Sequence, residues 1–222
     1  MMKITILSLF PKMFDGFLSE SIIKRAINDE KVKVEVINFR DYSSLPNKQV
    51  DDTPYGGGAG MVLRCEPLFA AIRDLKKEDS YVILTDPTGK KYNQAKAKEL
   101  SLKKHLIIVC GHYEGFDERI KTLADELVSI GDFVLTGGEV PAMVITDSVI
   151  RLLSGVINEE SLASESFSDN LLDYPVYTKP ADFEGMKVPD VLISGNHQKI
   201  NEYRQSERIR VTKENRKDLM GD

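Results

Sequence analysis

The chain has 222 residues, of which 41% are hydrophobic and 29% are charged, and its formal net charge is −5. This composition is typical of soluble globular proteins and excludes disordered and membrane classes. The net charge also excludes a protein that coats nucleic acid by bulk electrostatics, because that requires many unopposed lysines and arginines. Residues 199–217 are nevertheless locally basic, with seven basic side chains against three acidic ones. This local pattern fits either a polyanion-binding surface or a solvated helix face with paired charges.

The first residues and the cysteines bear on location. The apolar run 4–10 is much shorter than a bilayer span and has no small-residue cleavage site after it, so it predicts a strand. Cys65 and Cys110 are too few for a disulfide framework and lie in apolar surroundings. We therefore expect a cytoplasmic protein without membrane association.

Strand-like and helix-like segments alternate along the first two thirds of the chain. Short segments rich in isoleucine, valine and leucine, as in strands buried on both faces, occupy residues 3–9, 32–38, 81–85, 105–110 and 127–130. Segments with helical apolar spacing occupy residues 15–28, 66–77, 93–100, 117–126 and 139–153. The alternation predicts an α/β domain with a mainly parallel sheet over residues 1–157. In its last helix, the side chains available to the core are Val140, Met143, Val144, Val149 and Leu152.

The pattern changes after Gly155. Residues 158–170 are rich in serine and acidic residues and lack a sustained apolar period, so residues 158–173 are interpreted as a mobile linker. Several prolines and two tyrosines follow, and then a Ser-Gly-Asn cap precedes a helix predicted from His197 to about Glu207. Residues 174–222 are therefore expected to form a small helical domain.

A glycine-rich stretch, residues 51–61, stands out because four of five consecutive positions, 56–60, are glycine. Such density indicates positive φ angles or close approach of the backbone to a ligand. No Gly-Lys-Ser or Gly-Lys-Thr follows, and Met61 replaces the last glycine of the dinucleotide pattern, so the stretch is neither a P-loop nor a Rossmann fingerprint. A flexible loop and a ligand-facing loop both remain open from this motif alone.

Further glycine-bearing turns follow three of the predicted strands: 86–89, 110–119 and 129–141. Ligands of open α/β sheets gather at the carboxyl ends of strands, so these turns predict one shared pocket in which an adenine lies between apolar side chains. In the second turn, Tyr113 offers a stacking face and Glu114 an acceptor for ribose, an amine or a cation. Cys110 and His112 suggest zinc, but a structural site needs four ligands and the chain has only three histidines. No metal site is predicted.

These motifs carry a resemblance. Tyr-Gly-Gly-Gly-Ala-Gly-Met from Tyr55, Cys-Gly-His-Tyr-Glu-Gly-Phe-Asp-Glu-Arg from Cys110, and Ser-Ile-Gly-Asp-Phe-Val-Leu-Thr-Gly-Gly-Glu from Ser129 resemble the bacterial tRNA (guanine-37 N1)-methyltransferase (TrmD) family of the SPOUT superfamily. Pro-Ala-Met, Tyr-Thr-Lys-Pro from Tyr177 and Leu-Ile-Ser-Gly-Asn-His from Leu192 extend the match. It runs from Ser8 to about Arg204, in the right order.

The resemblance implies a fold beyond the strand pattern: a sheet threaded as a deep trefoil knot, an exception to the rule against knots. It also implies a homodimer with each active site at the subunit interface, and S-adenosylmethionine as methyl donor. By resemblance, the cofactor-binding residues are Thr85, Pro87, Gly111, Tyr113, Glu114, Ile130, Gly131, Asp132, Phe133, Val134, Leu135, Gly137, Gly138 and Pro141.

The chemistry implied by the resemblance needs a base and a cation, because neutral guanine carries a proton on N1. The family's base is an aspartate in an Asp-Ser-Phe triplet, whereas this chain has Glu165-Ser-Phe and a linker one residue shorter. Glutamate has similar basicity and one more methylene, so we expect Glu165 to be the base, with Asp169 as the rival. Arg151 matches the family's arginine and is expected to stabilise charge on guanine O6. The family also connects Glu114 with a magnesium ion.

The resemblance further implies recognition of the tRNA anticodon stem-loop. Asp51 and the glycine loop, including Gly56 and Gly60, are expected to contact the target guanine or the guanine preferred at position 36, because unpaired loop bases can be splayed into a pocket. Arg204 and the basic stretch after Lys199 are expected to hold the stem through phosphates. The chain ends at Asp222, whereas relatives often continue, which predicts a weaker grip on the stem.

Two other functions remain open from the sequence. A knotted methyltransferase that acts on ribosomal RNA or on a ribose oxygen shares the architecture, but it does not need the linker acid and the glycine loop together. A non-enzymatic sensor that only binds the cofactor is favoured by one feature, the glutamate in place of the family's aspartate.

Overall fold

The computed structural model describes residues 1–221, apart from the side chains of residues 163 and 164. The chain divides into two compact units, Met1–Ile157 and Asn158–Asp222.

The first unit is built on a five-stranded sheet with the order β2-β1-β6-β5-β7, in which every neighbouring pair is parallel. A two-stranded antiparallel hairpin, β3–β4, encloses the glycine-rich stretch. The strands of this unit are β1 Met2–Ser8, β2 Val32–Asn38, β3 Asp51–Asp52, β4 Val62–Leu63, β5 Ser80–Lys91, β6 His105–Cys110 and β7 Glu126–Ser129. The predicted mainly parallel sheet is confirmed, and the β3–β4 hairpin was not predicted.

Helices cover both faces of the sheet and bury an apolar cluster on each. β6 is buried along its whole length, as the continuous apolar sequence of a central parallel strand requires. The helices of this unit are α1 Asp15–Ser19, α2 Ser21–Asn28, α3 Cys65–Leu75, α4 Gln94–Ser101 and α5 Glu139–Ile150.

The sequence-based boundaries were wrong at the helix predicted over 15–28. This segment is two helices, because the backbone is extended at Glu20 and has a φ of 53° at Ser21. In α5, Val140 and Val144 were expected to face the core but are 46% and 42% exposed, since the buried face is formed by Ala142, Ile145, Thr146, Val149 and Ile150.

The helix predicted over 117–126 was also wrong. Residues Glu118–Leu123 form a 3-10 helix, and the chain then enters β7. The Asp125 carboxylate accepts a hydrogen bond from the backbone N–H of Val82 at 2.7 Å, and Glu126 pairs with Ile83 in the sheet. Pairing with β5 therefore ends the helical conformation at Leu123, although the helical spacing of apolar residues continues to residue 126.

The second unit contains α6 Glu159–Ser164, β8 Asp182–Phe183, β9 Met186–Lys187, α7 Asp190–Ile193 and α8 His197–Asn215. The predicted cap of α8 is confirmed, because the Asn196 side chain accepts from the N–H of Lys199 at 3.1 Å. α8 extends beyond the predicted end near residue 207, and α6 occupies part of the stretch interpreted as linker. Within residues 1–221, no helix is both long and apolar enough to cross a bilayer.

Candidate active site

A cavity of about 450 Å³ opens where three neighbouring strands of the sheet turn. It is bordered by the irregular segment 86–89 of β5 and by the turns after β6 and β7. Pockets that hold a small organic ligand have volumes of about 300–1,000 Å³, so one such molecule fits. Of the residues expected to bind the cofactor, all except Asp132 line this cavity. The structure therefore brings together residues from three separate parts of the sequence.

The segment 86–89 projects out of the sheet. Thr85 and Lys90 both pair with Val128, so the intervening residues leave the ladder and form one wall. Gly89 permits this, because a Cβ there would lie 2.4 Å from the backbone nitrogen of Val128. β5 is consequently longer than the predicted 81–85, since pairing resumes after the projection.

The floor of the cavity is formed where the turn after β6 contacts the start of α5. The N–H of Gly138 donates to the carbonyl of Gly111 at 2.7 Å. A Cβ on Gly138 would lie 2.1 Å from Thr85 Oγ1 and 2.5 Å from the nitrogen of Gly111, and no side chain fits those distances. Thr85 Oγ1 also donates to the carbonyl of Val109 and accepts from the N–H of Gly111. The turns are thus fixed to one another by backbone groups.

The wall after β7 is apolar and open. Phe133, Val134 and Leu135 line the cavity, and Val134 is 85% exposed. Asp132 does not line the cavity, because its carboxylate forms an ion pair with Lys91 at 2.9 Å. An exposed apolar wall beside backbone donors and acceptors suits a flat heteroaromatic ring.

Charged side chains stand at the other rim. Glu114 lies against Gly60, where a Cβ would come within 2.4 Å of its Oε1, and its N–H donates to the carbonyl of Met61 at 2.9 Å. This contact places the end of the glycine loop beside the cavity. Glu118 and Lys121, which pair at 2.7 Å, also line it. The sequence reasoning missed these two residues because it assigned them to an ordinary amphipathic helix.

A magnesium site has limited support in this geometry. Among the described residues, no group of three or more histidine, cysteine, aspartate or glutamate side chains is arranged to hold a metal ion. The carboxylates that line the cavity are Asp86, Glu114 and Glu118.

A buried polar cluster lies behind the cavity. Glu139, the first residue of α5, is 3% exposed and accepts a hydrogen bond from Ser8 Oγ at 2.8 Å. Gly137 separates Glu139 from His112, because a Cβ there would lie 2.5 Å from Glu139 Oε2 and 2.8 Å from His112 Nδ1. His112 Nδ1 is buried and has no hydrogen-bond partner among the described residues. Burial raises the pKa of the neighbouring Cys110 thiol, and the negative charge of Glu139 raises it further.

The glycine loop is exposed and its backbone is left-handed at several positions. Gly56 has a φ of 84° and Gly60 a φ of 87°, conformations that favour glycine. Asp51 pairs with Leu63 in the hairpin, and Arg64 forms ion pairs with Asp52 and Glu66 at its base. The loop is thus anchored at its stem and open at its tip.

The candidate catalytic residues lie at the ends of two helices. Arg151 is the residue after α5 and is half-buried. Glu165 is the residue after α6 and is also half-buried. The rival base, Asp169, forms a bidentate ion pair with Arg208. This hydrogen-bonded guanidinium lowers the pKa of the Asp169 carboxyl.

The basic stretch after Lys199 is partly neutralised within its own unit. Arg208 is held by Asp169 and by the carbonyl of Leu172, and Arg210 pairs with Glu207 and Glu214. Arg204 differs, because its guanidinium carbon lies 4.9 Å from the ring centroid of Tyr174 and its buried Nε has no hydrogen-bond partner among the described residues. The structure therefore distinguishes Arg204 from its neighbours.

Taken together, the parallel sheet and the cavity at its strand turns define an α/β protein with a site large enough for a small organic ligand. Comparison with known proteins makes the class specific. A family model described as tRNA (Guanine-1)-methyltransferase TrmD matches residues 2–222, so the chain belongs to this family.

Individual relatives agree with this family membership. The chain is 56% identical over 218 residues to a protein of Malacoplasma penetrans, covering 98% of this chain and 96% of the relative. It is 57% identical over 219 residues to a protein of Ureaplasma parvum, with the same coverage of each. A Bacillus cereus protein is 55% identical over 226 residues, covering 100% of this chain and 93% of the relative. Each of the three is named tRNA (guanine-N(1)-)-methyltransferase.

Proposed function

We propose that this chain transfers the methyl group of S-adenosylmethionine to N1 of guanosine 37 in tRNA and favours tRNAs with guanine at position 36. The observation that carries the proposal is the cavity formed by the turns of β5, β6 and β7 in a member of this methyltransferase family. The proposed substrate places the reaction in the cytoplasm.

The cavity suits the donor in size and chemistry. Its apolar wall at Phe133–Leu135 can cover an adenine, while the backbone groups around Gly111 and Gly138 can read the edge of the ring. When bound, S-adenosylmethionine supplies an electrophilic methyl group. Glu114 is available at the rim for the ribose, the amine or a water-bound magnesium ion.

Glu165 is the proposed general base. N1 of guanine becomes a nucleophile when its proton is removed, and a carboxylate can accept that proton. Asp169 is a poorer candidate because its ion pair with Arg208 occupies both carboxylate oxygens and lowers its pKa. Arg151 is proposed to stabilise the negative charge that develops on O6. The N1–methyl bond then forms as the methyl–sulfur bond breaks, leaving S-adenosylhomocysteine and a protonated Glu165.

We propose a homodimer in which the segment that carries the general base Glu165 in one subunit reaches the cavity of the other subunit. The exposed valines of α5, Val140 and Val144, and the open wall at Val134 support an interface near the cavity. Apolar side chains grouped at a surface in this way mark protein contact sites.

We also propose that the sheet is threaded as a trefoil knot around the start of α5. Membership of this family supports the knot, and the backbone contact of Gly138 with Gly111 brings the start of α5 against the turn after β6, as such a thread requires. The glycine loop, with Asp51 at its stem and Gly60 beside Glu114, is proposed to contact guanines 36 and 37 of the anticodon loop.

The decisive experiment is nucleoside mapping. The purified protein is incubated with S-adenosylmethionine and an unmodified tRNA transcript that carries guanine at positions 36 and 37, and the digest is analysed by mass spectrometry. The proposal predicts 1-methylguanosine at position 37 and none in a matched transcript with adenine there. Methylation of a ribose oxygen in the transcript, or methylation of ribosomal RNA but not of the transcript, would contradict the proposal. Either result would indicate a knotted methyltransferase of another kind.

A further inference from the structure

A second cavity is lined only by residues of the C-terminal unit. It has a volume of about 450 Å³ and is formed by the segment before β8 together with α7 and α8. Its lining residues are Tyr174, Pro175, Val176, Tyr177, Thr178, Lys179, Ala181, Val188, Leu192, Ile193, Ile200 and Arg204.

The chemistry of this lining is unusual in its charge. Lys179 and Arg204 are its only ionisable groups other than the two tyrosines, and no carboxylate lines it. Among the described residues, no carboxylate forms an ion pair with Arg204, whereas Arg208 and Arg210 on the same helix are both paired. Arg204 Nε is buried and lacks a hydrogen-bond acceptor.

The remaining lining supplies flat and apolar surface. Tyr177 is 50% exposed, and Val176 and Ile193 are among the most exposed apolar side chains of this unit. The Arg204 guanidinium already lies over the ring of Tyr174, so its plane is fixed beside the cavity. Exposed tyrosine faces next to an unpaired arginine are the elements that proteins use to stack a single base and hold its phosphate.

We propose that this cavity, which we call the tyrosine–arginine pocket, binds one unpaired nucleotide of the tRNA substrate. The base lies against Tyr177 and the apolar lining, and the phosphate accepts hydrogen bonds from Arg204. This inference rests on the proposed function, since it assumes an RNA substrate. It assigns Arg204 to a single nucleotide rather than to the stem phosphates for which the sequence reasoning proposed it. It also places Arg210 outside the RNA contact, because the charge of Arg210 is neutralised by Glu207 and Glu214.

The test compares variants of the pocket with a matched charge control on the same helix. Arg204→Gln and Tyr177→Leu are titrated with the unmodified tRNA transcript in a filter-binding assay, beside Tyr177→Phe and Arg210→Gln. Stacking contributes about 1–3 kcal/mol per base and a hydrogen bond to a charged group about 1.5–3 kcal/mol, so Tyr177→Leu and Arg204→Gln should each weaken binding about five- to hundredfold. Tyr177→Phe retains the ring, and the charge of Arg210 is already paired, so both should bind within about twofold of the wild type.

Chemical footprinting of the bound transcript identifies the nucleotide. One unpaired nucleotide should be protected by the wild type and by Tyr177→Phe, and exposed again in Arg204→Gln. Equal affinities for Arg204→Gln and Arg210→Gln would overturn the proposal. So would a loss of tRNA binding by Arg204→Gln that is accompanied by a change of molecular mass in light scattering, because the pocket would then seat another copy of the chain.

Two controls separate this inference from the proposed function. Calorimetry with S-adenosylmethionine checks that each variant keeps the first cavity, since the pocket variants should bind the donor as the wild type does, and the retained affinity of Tyr177→Phe and Arg210→Gln checks that the C-terminal unit tolerates substitution. Failure of the wild type to methylate the transcript would contradict the proposed function itself. Normal methylation by the wild type, with equal tRNA affinities for all variants, would contradict only the proposal that the tyrosine–arginine pocket binds a nucleotide.

Discussion

The two units of the chain differ in how their structure is held. In Met1–Ile157, two apolar clusters flank a parallel sheet, and the cavity is fixed by backbone contacts between its turns. In the second unit, Thr212 is the sole buried residue among those whose burial the structure describes. Its segments are joined instead by polar contacts, such as Arg208 to Asp169 and Thr212 Oγ1 to the N–H of Leu172.

This difference suggests a division of labour. A preformed cavity costs no ordering free energy when the donor binds, so the first unit is suited to a constant cofactor. A unit with little buried apolar surface is marginally stable alone and gains stability from whatever covers it. An RNA substrate or a second subunit can supply that cover. The variants below test whether the two units fail in different ways.

Loss of the proposed general base, Glu165, should have the largest effect on the methyl-transfer rate. Glu165→Gln should lower the single-turnover methyl-transfer rate at least about 100-fold with donor and tRNA saturating, because a general base contributes about 10²–10⁴-fold. Asp169→Asn should leave much more activity, since Asp169 is held by Arg208. Near-normal turnover by Glu165→Gln together with an inactive Asp169→Asn would reverse the assignment. Nucleoside mass spectrometry measures both.

The next effect concerns the floor of the first cavity. Gly138→Ala places a Cβ 2.1 Å from Thr85 Oγ1 and 2.5 Å from the nitrogen of Gly111, so the turns must separate. We expect loss of donor binding and destabilisation of at least about 3 kcal/mol, at the upper end of overpacking costs. The matched control is Gly16→Ala, where a Cβ meets nothing within 4 Å. Titration with S-adenosylmethionine and urea unfolding compare the two variants. Equal donor affinity and equal stability would show that Gly138 does not pack against Thr85 and Gly111 as described.

Removal of the buried Ser8 hydroxyl should have a smaller effect. Ser8→Ala leaves the 3%-exposed Glu139 carboxylate without its Ser8 donor and the N–H of Phe10 without its acceptor, which should reduce the free energy of unfolding by about 1–3 kcal/mol. Ser19→Ala, at an exposed serine, is the control and should change it little. Urea titration compares the two, and an equal midpoint for Ser8→Ala and wild type would show that this bond contributes nothing.

The smallest effect is a pH dependence in the second unit. The pKa of Asp169 is lower in the folded state than in the unfolded state, so its contribution to stability is present at neutral pH and is lost as the pH falls through its folded pKa. The pair is partly exposed, so Asp169→Asn should cost less than about 1 kcal/mol at pH 7. The difference in melting temperature from the wild type should shrink below about pH 4. A difference that persists unchanged in acid would show that the ion pair is not its cause.

The sequence predicted the parts of the fold that depend on local pattern. The boundaries of β2 and β6 were predicted to the residue. β6 has the continuous apolar sequence of a strand buried on both faces, whereas β2 is an edge strand in which valines alternate with charged residues. Local pattern failed where distant pairing decides the conformation. The helix predicted over 117–126 ends early because Asp125 and Glu126 pair with β5, and β5 continues past residue 85 because Lys90 and Lys91 find partners in β7.

The candidate site shows the same limit. Glycine-bearing turns identified the cavity residues because glycine density signals close backbone approach, as at Gly111 and Gly138. The partners of individual charges were not predictable, since ion pairs such as Arg208 with Asp169 join residues far apart in sequence. For the same reason no sequence pattern indicates the tyrosine–arginine pocket, whose lining comes from three separated segments.

Titration calorimetry with S-adenosylmethionine measures donor binding to the first cavity. If the turns of β5, β6 and β7 form the donor cavity, the wild-type protein binds this compound saturably, and Gly138→Ala abolishes the binding while Gly16→Ala retains it. Absence of any heat of binding from the folded wild-type protein, or full retention of binding by a folded Gly138→Ala variant, would show that these turns do not form the donor site.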